Sequence, residues 1–323
     1  MNSATSPRIA VVIPCYRGVN SILDIIGAIP DRVTRIYCVD DACTEGTGKV
    51  INDQCADDRV RIIRHENNQG VGGAMVSGYR AALADDMDIV VKIDSDGQMD
   101  PRLIPVFIQP ILNGQADYTK GNRFYRLEDL ASMPKIRLFG NAVLSFMCKL
   151  SSGYWQIFDP NNGYTAIHGR VLRLIPLEKI SKGYFFESDM LFRLNTLRAV
   201  VQDIPISSVY KNEVSGINIF RELFVFGIKH TANFYKRIFY NYFLRDFSVA
   251  SVELVLGLVL FLFGVIFGVD QWLHSRELGI EASSGTVMLA ALPVIIGLQL
   301  LLSALNYDIE NTPKTVLHPL LER

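Results

Sequence analysis

Two long apolar runs near the C-terminus, Val249 to Val269 and Val287 to Leu305, constrain this chain more than any other feature. Each approaches the ~20 residues that a helix needs to cross a bilayer. Only Ser251 and Glu253 interrupt the first, near its start; the second carries Pro293 and Gln299. Such residues are tolerated where a neighbouring helix satisfies the freed polar groups. Two runs of this kind back to back do not fit the core of a small soluble domain, so they predict a transmembrane hairpin. Lys229, Lys236, Arg237 and Arg245 precede the first span, whereas Arg276 is the one Lys or Arg between Asp270 and Ser284. The positive-inside rule then predicts a multi-pass protein of the cytoplasmic (inner) membrane, with the rest of the chain and the C-terminal tail facing the cytoplasm.

Composition agrees. The apolar share of 49% exceeds the soluble norm, and the excess lies after residue 248. A formal net charge of −1 supplies no field for nucleic acid, which is not expected as a partner. The polar start, Met1 to Arg8, leads into a strand-like run and argues against a cleaved signal peptide. The five cysteines are odd in number and form no Cys-x-x-Cys pair, which speaks for free thiols and against a zinc site or disulfide framework.

Before residue 217, short apolar runs alternate with helical patterns. Ile9 to Ile13, Arg35 to Val39, Val60 to Ile63 and Ile89 to Ile93 read as buried strands; Ser21 to Ile29 and Val71 to Ala84 read as helices. This alternation predicts an α/β fold with a mainly parallel, doubly wound sheet, which binds ligands beyond the carboxyl ends of its strands. Pro14, Asp40, Asp41, Asp94 and Asp96 fall there. Between Ile217 and Arg245, aromatic residues mix with basic ones, the pattern of amphipathic helices lying in a membrane interface. The expected domains are therefore 1–216, catalytic; 217–248, interface helices; and 249–323, hairpin and short tail.

Asp94-Ser95-Asp96 sets two carboxylates one residue apart on a tight turn. Such a pair approaches a hard divalent cation from one side, and Mg²⁺ or Mn²⁺ completes its shell with water and phosphate oxygens. Gln98 can add a carbonyl oxygen. Asp41 suits either a hydrogen bond to a base or ribose or a helix N-cap. Gly70, Gly72 and Gly73 open a helix, and fit either a phosphate cradle or close packing on the sheet.

Pro14-Cys-Tyr16, Val39-Asp-Asp41, Asn68-x-Gly70-x-Gly72-x-Ala74, Asp94-x-Asp96-x-Gln98-x-x-Pro101 and Gly121-Asn-Arg123 occur in this order. The set resembles glycosyltransferase family 2, and within it the dolichyl-phosphate mannose synthase-like, polyisoprenyl-phosphate branch. The likeness runs from about Ile9 to Gln202, and the tail is similar to bacterial members with a C-terminal two-helix anchor. It implies a GT-A-type, Rossmann-like nucleotide-sugar-binding domain. It further implies that Asp94, Asp96 and Gln98 hold Mg²⁺ or Mn²⁺ with the donor diphosphate, Asp96 acting in catalysis, and that Pro14, Tyr16, Asp41 and Gly70 line the nucleotide pocket. Arg123 and Arg137 repeat the spacing of two arginines that grip the acceptor phosphate, with Asn141 where a serine is usual. Asp159-Pro-Asn-Asn-Gly163-Tyr164 resembles an acceptor loop, though Thr165 replaces a basic residue. Phe186 to Asp189 matches the segment where a carboxylate faces the sugar, and register favours Asp189, with Glu187 as the alternative. A later Arg-x-x-Gly-x-Ser pattern is degraded to Tyr210 to Gly216, leaving Lys211 without a clear role.

The implied reaction is inverting transfer from a nucleotide-sugar, UDP-glucose or similar, to a polyisoprenyl (undecaprenyl) phosphate at the lipid bilayer, with Asp159 orienting the nucleophile or stabilising the sugar. A homo-oligomer is compatible with the resemblance. Rival readings are transfer to a lipid hydroxyl such as diacylglycerol, a processive polysaccharide synthase, and a catalytically silent sugar-nucleotide scaffold. The synthase would carry Gln-x-x-Arg-Trp, and neither Trp155 nor Trp272 stands in that context. The intact Asp-x-Asp-x-Gln argues against the scaffold.

Overall fold

The computed structural model describes residues 6–125, 135–206 and 219–321, with side chains outside 135–139 and 219–223. The chain divides into two compact units, 1–234 with 313–323, and 235–312.

In the first unit, β1 (Ile9–Cys15), β2 (Arg35–Asp40), β3 (Val60–Arg64) and β4 (Ile89–Lys92) alternate with α1 (Ile22–Gly27), α2 (Thr47–Gln54) and α3 (Gly70–Ala84). There follow α4 (Ile104–Leu112), β5 (Tyr118–Asn122), α5 (Lys135–Ser152), β6 (Thr165–His168), α6 (Gly169–Leu174), α7 (Phe186–Leu197) and β7 (Val201–Pro205). The seven strands form one sheet in the order β3-β2-β1-β4-β6-β5-β7. The first four pair in parallel, as their apolar runs predict for strands covered on both faces. β6 departs from the expected pattern: it runs antiparallel to both β4 and β5. That reversal positions the site. Thr165, at the start of β6, is paired with Lys92 at the end of β4 and with Lys120 of β5. The segment ahead of Thr165 is thereby delivered to the edge where β4 ends in Asp94.

Apolar side chains fill both faces of the sheet. Val12, Val39, Tyr79, Phe186 and Leu191 share one cluster; Ile13, Cys38, Ile25, Phe107 and Tyr164 share the other. Phe107 and Tyr164 stack at 3.9 Å between centroids. Each such side chain contributes roughly 1.5–3 kcal/mol when fully buried. All five cysteines are free.

The tail after the hairpin packs into this unit. Asp117, fully buried, accepts the backbone N–H groups of Leu317 and His318 at 2.9 Å each, and Arg170 donates to the carbonyls of His318 and Leu321 at 3.0 and 2.8 Å. The His318 ring stacks on His168, 4.2 Å between centroids.

The expected group of interface helices is a single helix, α8 (Ile219–Phe239), running into one π-helical turn, Tyr240–Arg245. No proline interrupts that run, so the backbone stays helical throughout. In the second unit, α9 (Val249–Leu278) and α10 (Ser284–Glu310) are each long and apolar enough to cross a membrane. Only 11% of each helix's most apolar window is buried, so neither is the core helix of a soluble body. They approach closely where Gly257 and Gly297 face each other. Arg237 and Asp308 form a buried bidentate ion pair at 2.6 and 3.0 Å, to which the Tyr242 hydroxyl donates at 2.5 Å.

Candidate active site

A cavity of about 690 Å³ opens at the carboxyl ends of β1, β2 and β4. Of the residues the sequence singles out, Pro14, Tyr16, Asp41, Gly70, Asp94 and Asp96 line it. The Asp94–Asp96 turn is held from the β1–α1 loop, where the Ser21 hydroxyl donates to the Ser95 carbonyl at 2.5 Å. Asp96 accepts the Gln98 backbone N–H at 2.9 Å; Gln98 tightens the turn in this way, and its side chain is not among those lining the cavity. Tyr16 is 42% exposed, and the Arg17 guanidinium lies 5.4 Å from its ring centroid. An open aromatic face backed by a cation suits a heteroaromatic base.

Asp41 lies in the cavity wall but is 3% exposed and already engaged. Its carboxylate accepts the backbone N–H groups of Gln69 and Gly70 at 2.8 Å each and meets His65 Nδ1 at 2.7 Å, while His65 Nε2 reaches the Ser77 hydroxyl at 2.8 Å. It clamps the Asn68–Gly70 loop. The glycines after it pack closely against another loop. In the first turn of α3, the N–H groups of Gly72 and Gly73 donate to the Lys182 carbonyl at 2.8 and 3.2 Å. A Cβ on Gly72 would sit 2.0 Å from the Ser181 carbonyl oxygen, so only glycine admits this contact.

A row of buried charge underlies the acidic turn. Lys92, on β4, is 1% exposed, and its ammonium lies 2.6 Å from Asp94 Oδ1, 3.1 Å from Glu187 Oε1 and 3.2 Å from the Gly163 carbonyl. Burial opposes its charge, yet Asp94 and Glu187 hold it above the ordinary lysine range. Lys120, on β5, donates to the Asn162 carbonyl, and burial lowers its pKa to about 8 despite nearby Asp159 and Glu187. Burial likewise raises Asp203, beside it, to about 6. Both lysines thus staple the loop before β6 to the sheet through its carbonyls.

The two acids expected beside the sugar are instead occupied. Asp159 is 2% exposed and takes Arg123 in a bidentate pair at 2.8 and 3.1 Å, with Asn162 Nδ2 at 3.2 Å. Burial pushes its carboxyl up, but the Arg123 guanidinium outweighs that and holds it below the usual range. Asp189 is 4% exposed and accepts Ser181 N at 2.9 Å, Arg193 Nε at 3.0 Å and Asn233 Nδ2 at 3.2 Å. Neither lines the cavity; Glu187 does, from the first turn of α7. The reason is helical geometry: two residues along a helix is over half a turn, so 187 and 189 cannot share a face. Asn141 lies on α5, three residues before Leu144, which enters the cavity wall. Arg123 is not among the lining residues, the Arg137 side chain lies outside the described residues, and so does Lys211.

Asp94, with a side chain 29% exposed, and Asp96 are oxygen donors on one wall of an open cavity. Among the described residues no group of three His, Cys, Asp or Glu could enclose a metal. Two carboxylates on one wall fit a hard divalent ion whose remaining ligands would come from a substrate diphosphate and water. Leu144, Tyr184 and Phe226 give part of the cavity lining an apolar character.

Residues 10–175, just over half of the chain, match the profile of glycosyl transferase family 2. The UDP-N-acetylglucosamine–dolichyl-phosphate N-acetylglucosaminyltransferase of Methanococcus voltae is 28% identical over 216 residues, covering 62% of this chain and 86% of its own. The undecaprenyl-phosphate mannosyltransferase of Micrococcus luteus is 30% identical over 206 residues, covering 62% and 84%. Among solved structures, glucosyl-3-phosphoglycerate synthase of Mycobacterium tuberculosis, in complex with Mn²⁺, UDP-glucose and phosphoglyceric acid, superposes with a TM-score of 0.54 at 21% identity. That match covers 72% of this chain and 79% of the synthase. At that identity the likeness concerns the fold, a GT-A sheet.

Proposed function

This chain belongs to glycosyl transferase family 2 and is a glycosyltransferase, and from that premise we propose that it moves a sugar from a nucleotide-sugar to a polyisoprenyl phosphate, with inversion, at the cytoplasmic face of a membrane. The observation that carries the reading is the Asp94–Asp96 turn, which lines one cavity together with Tyr16 and the apolar side chains of Leu144 and Phe226. Relatives named for dolichyl-phosphate and undecaprenyl-phosphate acceptors support the acceptor class. The hairpin would span the bilayer. Tail residues that pack into the same unit as the sheet support both of its ends lying on one side.

Mg²⁺ or Mn²⁺, held by Asp94 and Asp96, would supply Lewis-acid neutralisation of the leaving diphosphate. The chain's own residues do the rest. Tyr16 stacks the base, and the Asp41 clamp fixes the loop beside it. Lys92 holds Asp94 and Glu187 in place through its ammonium. The acceptor phosphate, with its second pKa near ~6, is an anion at neutral pH and needs no general base. One of its oxygens forms the new bond to the anomeric carbon as the bond to the diphosphate breaks, and the nucleoside diphosphate departs with the electron pair. Arg123, oriented by Asp159, suits that phosphate. Asp159 and Asp189 then act as positioning residues, and Glu187 is the acid at hand to stabilise cationic character on the sugar.

The test is incubation of the purified chain with labelled UDP-glucose, UDP-N-acetylglucosamine or GDP-mannose, with and without undecaprenyl phosphate, followed by lipid extraction. Label should enter lipid only when the phosphate is supplied, and Asp96→Ala should abolish it. Full activity of that variant, or of the wild type in excess chelator, refutes the metal-assisted reading. Label appearing on diacylglycerol instead would transfer the case to a hydroxyl acceptor.

A further inference from the structure

The stretch of cavity wall at Gly183 and Tyr184, ahead of the buried Glu187, is exposed; Lys182, Gly183 and Tyr184 all face solvent. What holds it comes from two sides. On the nucleotide side, the Lys182 carbonyl accepts the N–H groups of Gly72 and Gly73, two residues from the Gly70 N–H that Asp41 clamps. On the other side stands α8. Asn233 Nδ2 donates to Asp189 Oδ1 at 3.2 Å, and the other oxygen of Asp189 accepts the Ser181 backbone N–H at 2.9 Å. One turn earlier, Lys229 Nζ donates to the Ser181 hydroxyl at 3.2 Å and lies 5.4 Å from the Phe185 ring centroid. Phe226, one further turn back, enters the cavity wall itself.

We propose that Asn233 and Lys229 are positioning residues of the donor site: by fixing Asp189 and Ser181 they set the wall segment against α3, so that affinity for the nucleotide-sugar depends on how α8 is seated. This rests on the reading of the cavity as a nucleotide-sugar site. The physical case is one of restraint. A buried carboxylate such as Asp189 must have its oxygens satisfied. Withdrawing the Asn233 amide leaves Asp189 to seek another donor, and the Ser181 N–H it anchors moves with it. The loop then lacks a tether on the α8 side, and an exposed segment with few buried contacts opens locally at little cost. A ligand bound against that wall must reorder it first, and its apparent affinity falls in proportion. The same chain of contacts makes α8, whose sequence mixes aromatic and basic residues like an interfacial helix, a route by which a lipid surface can influence donor binding.

Isothermal titration of the full chain in detergent micelles with UDP and with GDP, each with Mn²⁺, tests this. Asn233→Ala and Lys229→Ala should each weaken binding of the nucleotide that the wild type takes by about tenfold, the loss expected for one hydrogen bond to a charged or anchoring group. The KM for the donor should rise with it, and the KM for the lipid phosphate should not. A merely structural role would raise both. Unchanged nucleotide affinity, or equal losses for donor and acceptor, overturns the proposal. Should Asn233→Ala fail to fold, Lys229→Ala carries the same expectation, and wild-type affinity in that variant overturns it. Wild-type protein that binds nucleotide but transfers no sugar to lipid phosphate would defeat the transfer reading and leave this one standing.

Discussion

Acid should loosen α8 through one buried histidine. His230 is 3% exposed, set edge-on to Phe185 and Phe226 with centroids 4.8 and 6.3 Å away. Its Nδ1 lies 2.7 Å from the Ser151 hydroxyl, which directs its own proton to the Cys148 carbonyl at 3.2 Å. A second proton on the imidazole would bring full charge among aromatic rings, and burial accordingly lowers the pKa from 6.5 to about 4. Between those two values the unfolded chain binds the proton and the folded one does not. Stability is thus complete above about pH 6.5 and lost progressively as pH falls toward 4. At pH 5 the loss is about 2 kcal/mol. Thermal unfolding at pH 7 and pH 5 should show it, with His230→Phe as the control that cannot titrate. The wild type should lose about 4–8 °C more than the variant over that interval. His168, also lowered to about 4 by burial, is present in both and cancels in the comparison. Equal pH dependence of the two proteins would refute the assignment.

Two further outcomes follow from contacts already described. Gly72→Ala places a Cβ 2.0 Å from the Ser181 carbonyl oxygen; it should cost about 1–3 kcal/mol of stability and weaken nucleotide binding, and an unaltered melting temperature with unaltered affinity would contradict the packing. Asp308→Ala removes the carboxylate paired with the buried Arg237 and should cost about 3–5 kcal/mol, read as lost thermal stability in detergent. Arg237→Leu combined with Asp308→Leu should recover most of it, and a double variant no better than either single one would count against the ion pair.

Much of the fold was legible because its signals are local. Four apolar runs, three of them ending in acid or proline, mark the four strands and the sheet edge where Asp94 and Asp96 sit. The short strand Thr165–His168 was not legible as an antiparallel insertion, since four residues carry no direction; pairing with Lys92 and Lys120 decides it. Lys92 left a trace in the sequence, a lone charge inside the strand run Ile89 to Ile93. A charge in a buried strand demands a partner, and that rule pointed toward nearby acids without saying which. The aromatic and basic mix of 217–248 is legible in the sequence, but whether it forms one helix or several depends on packing. His65, Lys182 and Phe226 gave no sign, because each acts through contacts far along the chain.

The acids show why motif position does not fix role. Asp41, Asp159, Asp189 and Glu187 all stand where the sequence pattern places a functional carboxylate, and all are under 9% exposed. A carboxylate that deep cannot remain ionised without donors, so its partners reveal its function. Asp41 has two backbone N–H groups and an imidazole, Asp159 a guanidinium and an amide, Asp189 a backbone N–H, a guanidinium and an amide. Each of these three holds a loop or an arginine. Glu187 differs, since its named partner is Lys92, which it shares with Asp94 at the floor of the cavity. One ammonium there offsets part of the charge of two acids, so on the proposed reading an incoming diphosphate would meet less repulsion. That balance would favour the proposed polyanionic donor beside a wall of carboxylates. It also places Gly163 under constraint: a Cβ there would lie 2.3 Å from Asp94 Oδ2 and 2.4 Å from Lys92 Nζ, so any side chain would have to displace the ion pair on which the balance depends.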